Sequence, residues 1–325
     1  MKLSKTDKAL GNVETTQTKA GRGRRFIEAL RKDWQLWVLL LPAIIMVFVF
    51  CYLPMYGVQI AFRDFRAAFG ISGSPWVGLK HFQEFISSFY FGRLMANTFL
   101  LNFYGLLWSF PFPIIMAILL NQLGEKRFKK FTQTSIYVPH FISPVVLVGM
   151  LFLFLSPSSG IVNNIISLSG GQPIHFMFEV SWFRPLFIGS GIWQSAGFNT
   201  ILYIAALTAI DPELYEAASV DGASKLRKIW HIDVPHLIPI IVMLLILNCG
   251  TLLVSNVDKA LLMQTAGNLP VSDIIGTYVY RMGIAGSFPA FSYTAAIGLF
   301  VNVINFFMII TVNFIAKKMT KTGLF

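Results

Sequence analysis

The ionisable residues with the most to offer chemically lie at 211–236. This segment reads Asp-Pro-Glu-Leu-Tyr-Glu-Ala-Ala-Ser-Val-Asp-Gly-Ala-Ser-Lys-Leu-Arg-Lys-Ile-Trp-His-Ile-Asp-Val-Pro-His and holds five of the 15 acidic residues with three basic ones. Asp211-Pro212 predicts a helix start, an N-cap acceptor followed by a proline in the first turn, and Glu213 and Glu216 suit the positive end of that helix. Gly222 lets the chain turn. Ser224 caps a second short helix through Lys225 to Trp230, which Pro235 is expected to end. Leu214, Ala217, Ala218, Leu226 and Trp230 supply apolar faces. The chemistry this permits is recognition: either a knob, charged on one face and apolar on the other, that docks into a groove on another protein, or an amphipathic segment lying on a membrane surface.

Bond-making chemistry finds little support elsewhere. His140 and Ser143 form a weak pair, since prolines flank them and no acidic residue in the same stretch can orient the imidazole. No His-Glu-x-x-His, Gly-x-Ser-x-Gly or intramembrane Asp pair occurs, and no Gly-x4-Gly-Lys-Ser/Thr that would hold a nucleotide. Cys51 and Cys249 sit in apolar runs as small hydrophobes, with no disulfide framework or metal spacing. No catalytic or metal-binding residue is therefore assigned. Polar residues inside apolar stretches are better suited to a hydroxylated solute. Gln194, Asn199 and Tyr203 cluster in one such stretch and Asn248 lies in another, with Asn97, Asn102, Tyr104, Trp193, Tyr293, Asn302 and Asn305 as further candidates. Such residues equally join helix to helix.

The elements that must position these groups follow from composition. Of 325 residues, 55% are hydrophobic and 13% charged, where an average soluble domain carries about 25% charged residues. Stretches free of Asp, Glu, Lys and Arg occur at 34–62, 94–124, 131–178, 185–210, 237–257 and 282–316, each able to hold the roughly 20 apolar residues that cross a bilayer. The third is expected to hold one span at about 134–155, followed by an external loop with a short interfacial helix, because Ser156-Pro157-Ser158-Ser159-Gly160 and the residues to Gly171 are polar and turn-rich. Six spans with both termini inside put 19 of the 26 Lys and Arg on the inner side and 7 on the outer, as the positive-inside rule requires. The net charge of +11 is thus topological, and Arg22, Arg24, Arg25, Arg31 and Lys32 are placed to meet anionic headgroups rather than nucleic acid. No cleavable signal peptide is expected. The chain therefore reads as a cytoplasmic basic tail at 1–33, a six-helix membrane domain at 34–316 containing the 211–236 loop, and a cytoplasmic tail at 317–325. Pro42, Pro54, Pro111, Pro113 and Pro144 predict kinks or breaks.

Glu216-Ala217-Ala218, three residues, Gly222, nine residues, then Ile232-Asp233-Val234-Pro235 resembles the EAA loop of ABC importer permeases, Glu-Ala-Ala-x3-Gly-x9-Ile-x-Leu-Pro, with Val234 in place of Leu. Tyr52-Leu53-Pro54-Met55-Tyr56-Gly57, Trp76-Val77-Gly78-Leu79, Asn97-Thr98 and Tyr137-Val138-Pro139-His140-Phe141-Ile142-Ser143 are similar to the oligosaccharide permeases grouped with aldouronate, lipo-oligosaccharide and alginate importers. The resemblance covers nearly all of the chain beyond residue 30. It implies an all-α polytopic fold of the type I ABC importer permeases in the bacterial inner membrane. It also implies a second related permease, two ATPase subunits that bind ATP and Mg while this chain holds no cofactor, and an extracytoplasmic solute-binding protein. Glu216, Ala217, Ala218, Gly222, Ile232 and Pro235 are then the ATPase-coupling residues, and Gln194, Asn199, Tyr203 and Asn248 candidates for the substrate pathway. The sugar stays open between acidic ones such as alginate or aldouronate and neutral ones.

Two other functions fit the sequence less well. A proton- or sodium-coupled secondary transporter usually places carboxylates within its spans, and these six stretches have none. A membrane enzyme lacks its motifs. The outer segment 257–290, with Asp258, Lys259, Gln264, Thr265 and Gly267-Asn268, is long for a connection and is expected to touch the solute-binding protein or act as a gate, or else to be a plain surface loop.

Overall fold

The computed structural model describes residues 34–124 and 126–320, and the regular structure within them is helical. The chain divides into two compact units, Met1–Val58 and Gln59–Phe325. In the first, α1 (Trp34–Val47) carries Pro42 and leads into a π-turn at Phe48–Tyr52, after which Leu53–Phe62 is a 3-10 helix containing Pro54. No residue of α1 is buried, as suits a helix apolar on all sides whose solvent is lipid. The tail at 1–33 and the end of the chain at 321–325 lie outside the described residues.

The second unit takes up the end of that 3-10 helix and the short turns at Ala67–Phe69 and Gly70–Gly73, and continues with α2 (Lys80–Ile86), α3 (Phe91–Ser109), α4 (Pro111–Asn121), α5 (Lys126–Tyr137) and α6 (Pro144–Phe154). Next come α7 (Ile161–Leu168), α8 (Val180–Thr208), α9 (Pro212–Val220), α10 (Lys225–Lys228) and α11 (Val234–Cys249). The last are α12 (Val257–Met263), α13 (Ile275–Tyr280) and α14 (Phe291–Thr320). Helix α8 is the central member, packed against α3, α4, α5 and α11. It approaches α5 closely enough that a Cβ on Gly197 would stand 2.0 Å from the Ile136 carbonyl oxygen, so only glycine permits this contact. Three apolar cores result. One joins Leu101, Val148, Phe183, Met263 and Ile274. A second joins Phe85, Leu94, Ile275 and Ile297. The third joins Ala117, Tyr203, Leu207, Ile232 and Leu237.

Among the described residues, Trp34–Phe62, Phe91–Asn121, Lys225–Cys249 and Phe291–Lys318 are long and apolar enough to cross a membrane. The span expected at 134–155, with a kink or break at Pro144, is a broken pair, Arg127–Phe141 and Pro144–Phe154, bent by 95° and counting as a fifth span if taken as one. The cause is local: Pro139 lies in a 3-10 turn at Val138–Phe141, and Ser143, extended at ψ 153°, starts α6 by accepting a bond from the Val146 N–H ahead of Pro144. The stretch expected at 185–210 lies within α8, a single 29-residue helix. Its length suffices, but Gln194, Ser195, Asn199 and Thr200 dilute its apolar character, and it is not among the four. The short helix expected after the third span is α7, anchored by buried Asn163, whose side chain bonds the carbonyls of Leu155 and Ile174.

Candidate functional site

The 211–236 segment folds as its cap residues dictate. The Asp211 carboxylate accepts from the Glu213 N–H at 3.0 Å and opens α9, and the Ser224 hydroxyl accepts from the Arg227 N–H at 3.4 Å and opens α10. Between them Gly222 sits at φ +71°, the left-handed region that any β-carbon would strain. Pro235 does not end the second helix. The backbone passes through a π-turn at Ile229–Asp233 into α11, so Lys225–Cys249 is one continuous helix. The widened turn accommodates a residue that has no N–H and whose ring would collide with an α-helical carbonyl one turn back. Ile232 is buried in the third core, and Pro235 lies at the start of α11.

The apolar side chains of this knob divide unexpectedly. Tyr215 and Ala218 pack on the third core, whereas Leu214, Leu226 and Trp230 are exposed, the last at 65%. Ala217 and Glu216 are exposed too. The apolar face is therefore mostly an outward one, and it surrounds the Glu216 carboxylate. What holds the knob is a residue that sequence reasoning passed over. Asp233, fully buried, accepts from the Tyr215 hydroxyl at 2.5 Å and from Gln122 Nε2 at 3.0 Å. Burial, together with the hydrogen bond and charge of Asp233, pushes the Tyr215 phenol well above its ordinary value. Lys228 Nζ donates to the Ser219 hydroxyl at 2.5 Å, a second tie between α9 and α10.

Two adjoining cavities open beside α8, sharing Asn102, Gly105 and Ser109 of α3. The first, about 390 Å³, is lined by Asn199, Tyr203 and Asn248 among others. The second, about 370 Å³, is lined by Gln194, His140 and Lys259. The four expected pathway residues thus line two neighbouring spaces. Two of them are partly engaged: Gln194 Nε2 donates to the Ile142 carbonyl at 2.6 Å and Asn248 Nδ2 to the Leu244 carbonyl at 2.7 Å. Among the other polar candidates, Asn97 and Asn305 are structural. Asn97 donates to the Pro270 and Asp273 carbonyls and accepts from Arg184, and Asn305 accepts from the Leu253 N–H. His140 stacks flat on Phe198 with ring centroids 3.9 Å apart, so it packs while Ser143 caps α6.

The segment 257–290 is not a plain surface loop. Lys259, Asn268, Ser272, Asp273 and Thr277 are all at most 3% exposed. Asp273 accepts from Arg281 at 2.7 Å and Arg93 at 3.2 Å and from the Thr277 hydroxyl, clasping α13 to the start of α3. Lys259 donates to the Phe187 carbonyl at 2.8 Å with its ammonium 4.8 Å from that residue's ring, and burial pushes its pKa down to about 8.

Residues 109–321 match the family described as the binding-protein-dependent transport system inner membrane component. The chain belongs to that family. This permease is 42% identical to protein LplB of Bacillus subtilis over 306 residues, covering 94% of this chain and 96% of that one. It is 41% identical over 313 residues to the polygalacturonan/rhamnogalacturonan transport system permease protein YteP of the same organism, covering 96% and 97%. Its fold matches a chain of a bacterial ABC transporter involved in import of the acidic polysaccharide alginate, with a TM-score of 0.82 at 37% identity over 91% of this permease and 99% of that chain. The same transporter in complex with an alginate pentasaccharide-bound periplasmic protein matches with a TM-score of 0.83. The permease is accordingly an all-α membrane protein with the type I ABC importer permease fold.

Proposed function

We propose that this permease forms half of the translocation pathway of an ATP-driven oligosaccharide importer and receives its driving motion through the 211–236 knob. The observation that carries this reading is mechanical. The knob exposes Glu216, Leu214, Leu226 and Trp230 outward while Asp233 ties its inner side to Tyr215 and Gln122, and its second helix is continuous with α11. A partner pushing on the outward face moves a membrane helix directly. Glu216 is the acidic group for a basic partner groove, Ala217 permits close approach of the partner while Ala218 permits close packing on the third core, and Gly222 makes the turn. The partners are a second related permease, two ATPase subunits that hold ATP and Mg, and an extracytoplasmic solute-binding protein. This chain holds no cofactor and no ATPase site of its own. Sugar hydroxyls meet Gln194, Asn199, Tyr203 and Asn248 in the two cavities.

The test is reconstitution in proteoliposomes. Hydrolysis stimulated by loaded binding protein requires this permease, its second permease and the ATPase pair together; hydrolysis by the isolated chain overturns the reading. Glu216→Lys places a cation against a basic groove and costs on the order of several kcal/mol of docking, read as loss of co-purification with the ATPase while membrane insertion persists. Both termini are cytoplasmic in this reading. A cysteine at Ser224 then reacts with an impermeant thiol reagent only from the cytoplasm, and one at Ser169 only from outside, whereas labelling of both from one side breaks the topology.

A further inference from the structure

The second cavity holds an ion that the coupling argument does not use. Lys259 is 3% exposed, and among the described residues its ammonium meets a backbone carbonyl and a phenyl ring but no carboxylate. Asp258, next to it, is exposed and makes no ion pair with it. Among the described residues no acidic side chain lines the cavity, whose polar walls are Asn102, Ser109, His140, Gln194, Ser195 and Asn256. Burying an ammonium costs free energy unless a counter-charge or full hydrogen bonding offsets it. A neutral amide at this position would make the same bond to the Phe187 carbonyl without that cost. The ammonium has three donors and that carbonyl occupies one.

The surroundings complete a pattern. Asn102 donates its amide N–H groups to Ser255 and the Thr98 carbonyl, and Gln194 donates one to the Ile142 carbonyl, leaving Oδ1 and Oε1 as acceptors. The ammonium stands 3.3 Å from where a Cβ on Gly191 would lie, so the absence of a side chain there lets it lie against α8 at the wall of the second cavity. A buried cation beside hydroxyl acceptors fits a solute that carries both hydroxyls and a carboxylate. We infer that Lys259 is the binding residue for the carboxylate of an acidic sugar, a uronate, in the second cavity. This rests on the import reading above and narrows it from oligosaccharides in general to acidic ones.

The test compares uptake of a uronic-acid trisaccharide and its neutral methyl ester by proteoliposomes holding the complete transporter with parent permease, Lys259→Met or Lys259→Arg. Each variant is compared with the parent on the same sugar, so that selectivity of the solute-binding protein cancels. Lys259→Met keeps the apolar stem and is expected to cut uronate uptake about tenfold or more, the factor a lost hydrogen bond to a charged group supplies, while Lys259→Arg stays within about threefold of the parent. The loss is expected for the acid and not for the ester. Equal losses for acid and ester, or equal losses in both variants, would assign Lys259 to holding α12 against α8 and overturn the inference. A parent transporter that imports neutral oligosaccharide and rejects uronate leaves the import reading standing and overturns this one. A parent that imports neither sugar overturns both.

Discussion

The knob at 211–236 and the segment at 257–290 each centre on one buried carboxylate, and they use it in opposite ways. Asp233 accepts from two neutral donors, Tyr215 and Gln122, and the knob it holds turns most of its remaining surface outward. Asp273 accepts from two guanidiniums, those of Arg93 and Arg281, and the segment it holds is drawn inward until Asn268, Ser272 and Thr277 are buried. A carboxylate held by neutral donors fixes a surface element by its inner side and leaves its outer side able to engage a partner. A charge clasp commits its segment to the bundle, because opening it would leave two cations facing each other.

Three substitutions test that contrast, from the largest expected effect to the smallest. Asp273→Ala leaves Arg93 and Arg281 unpaired; since both side chains are over a third exposed, the loss is expected at about 3 kcal/mol, the low end for a broken ion pair. Thermal unfolding in detergent reads it, and a Tm no lower than that of Asp258→Ala, a neighbouring exposed acid, would break the contrast. Asp233→Ala strands the Tyr215 hydroxyl and the Gln122 amide, at about 2 kcal/mol. Its mark is local: proteolysis between 212 and 224 accelerates while the rest of the chain stays protected, and uniform acceleration would mean that the knob is part of the general fold. Gly222→Val forces a β-branched residue to positive φ, at about 1 kcal/mol or more. Here the sharper readout is co-purification with the ATPase subunit, which is expected to weaken although Tm changes little. Parent-like assembly and transport would reduce the knob to a membrane-surface element.

Much of the architecture was legible because bilayer and capping chemistry act locally. The apolar stretches marked four of the spans, Asp211 and Ser224 announced their helix starts, and Gly222 its turn. What escaped was whatever depends on a distant partner. The roles of Asp233 and Asp273 were not legible, since nothing near them in sequence reveals Gln122 or Arg93. Which apolar side chains of the knob pack on the third core, Tyr215 and Ala218, and which stay outward, Leu214 and Trp230, was not legible, since that depends on residues far away in the chain. Pro235 was misjudged because proline ends an α-helix and a π-turn leaves no compositional trace. Gln194, Asn199, Tyr203 and Asn248, which line the two cavities, were findable as polar groups in apolar surroundings. The burial of Lys259 was not, since a charge past the end of a span looks like an ordinary loop residue.

The π-turn at Ile229–Asp233 also fixes an angular phase. It places one residue more in the helix than a regular α-turn would, and each α-helical residue advances the chain by about 100° around the axis. Deleting one residue there would restore an unbroken α-register in Lys225–Cys249 and swing Leu226, Trp230 and everything before them by about that angle relative to α11. Glu216 would then point toward a different neighbour without any change in its own helix. The compass bearing of the knob is therefore set by a single supernumerary residue, and two permeases with identical knobs but different counts at this turn would present them to different sides.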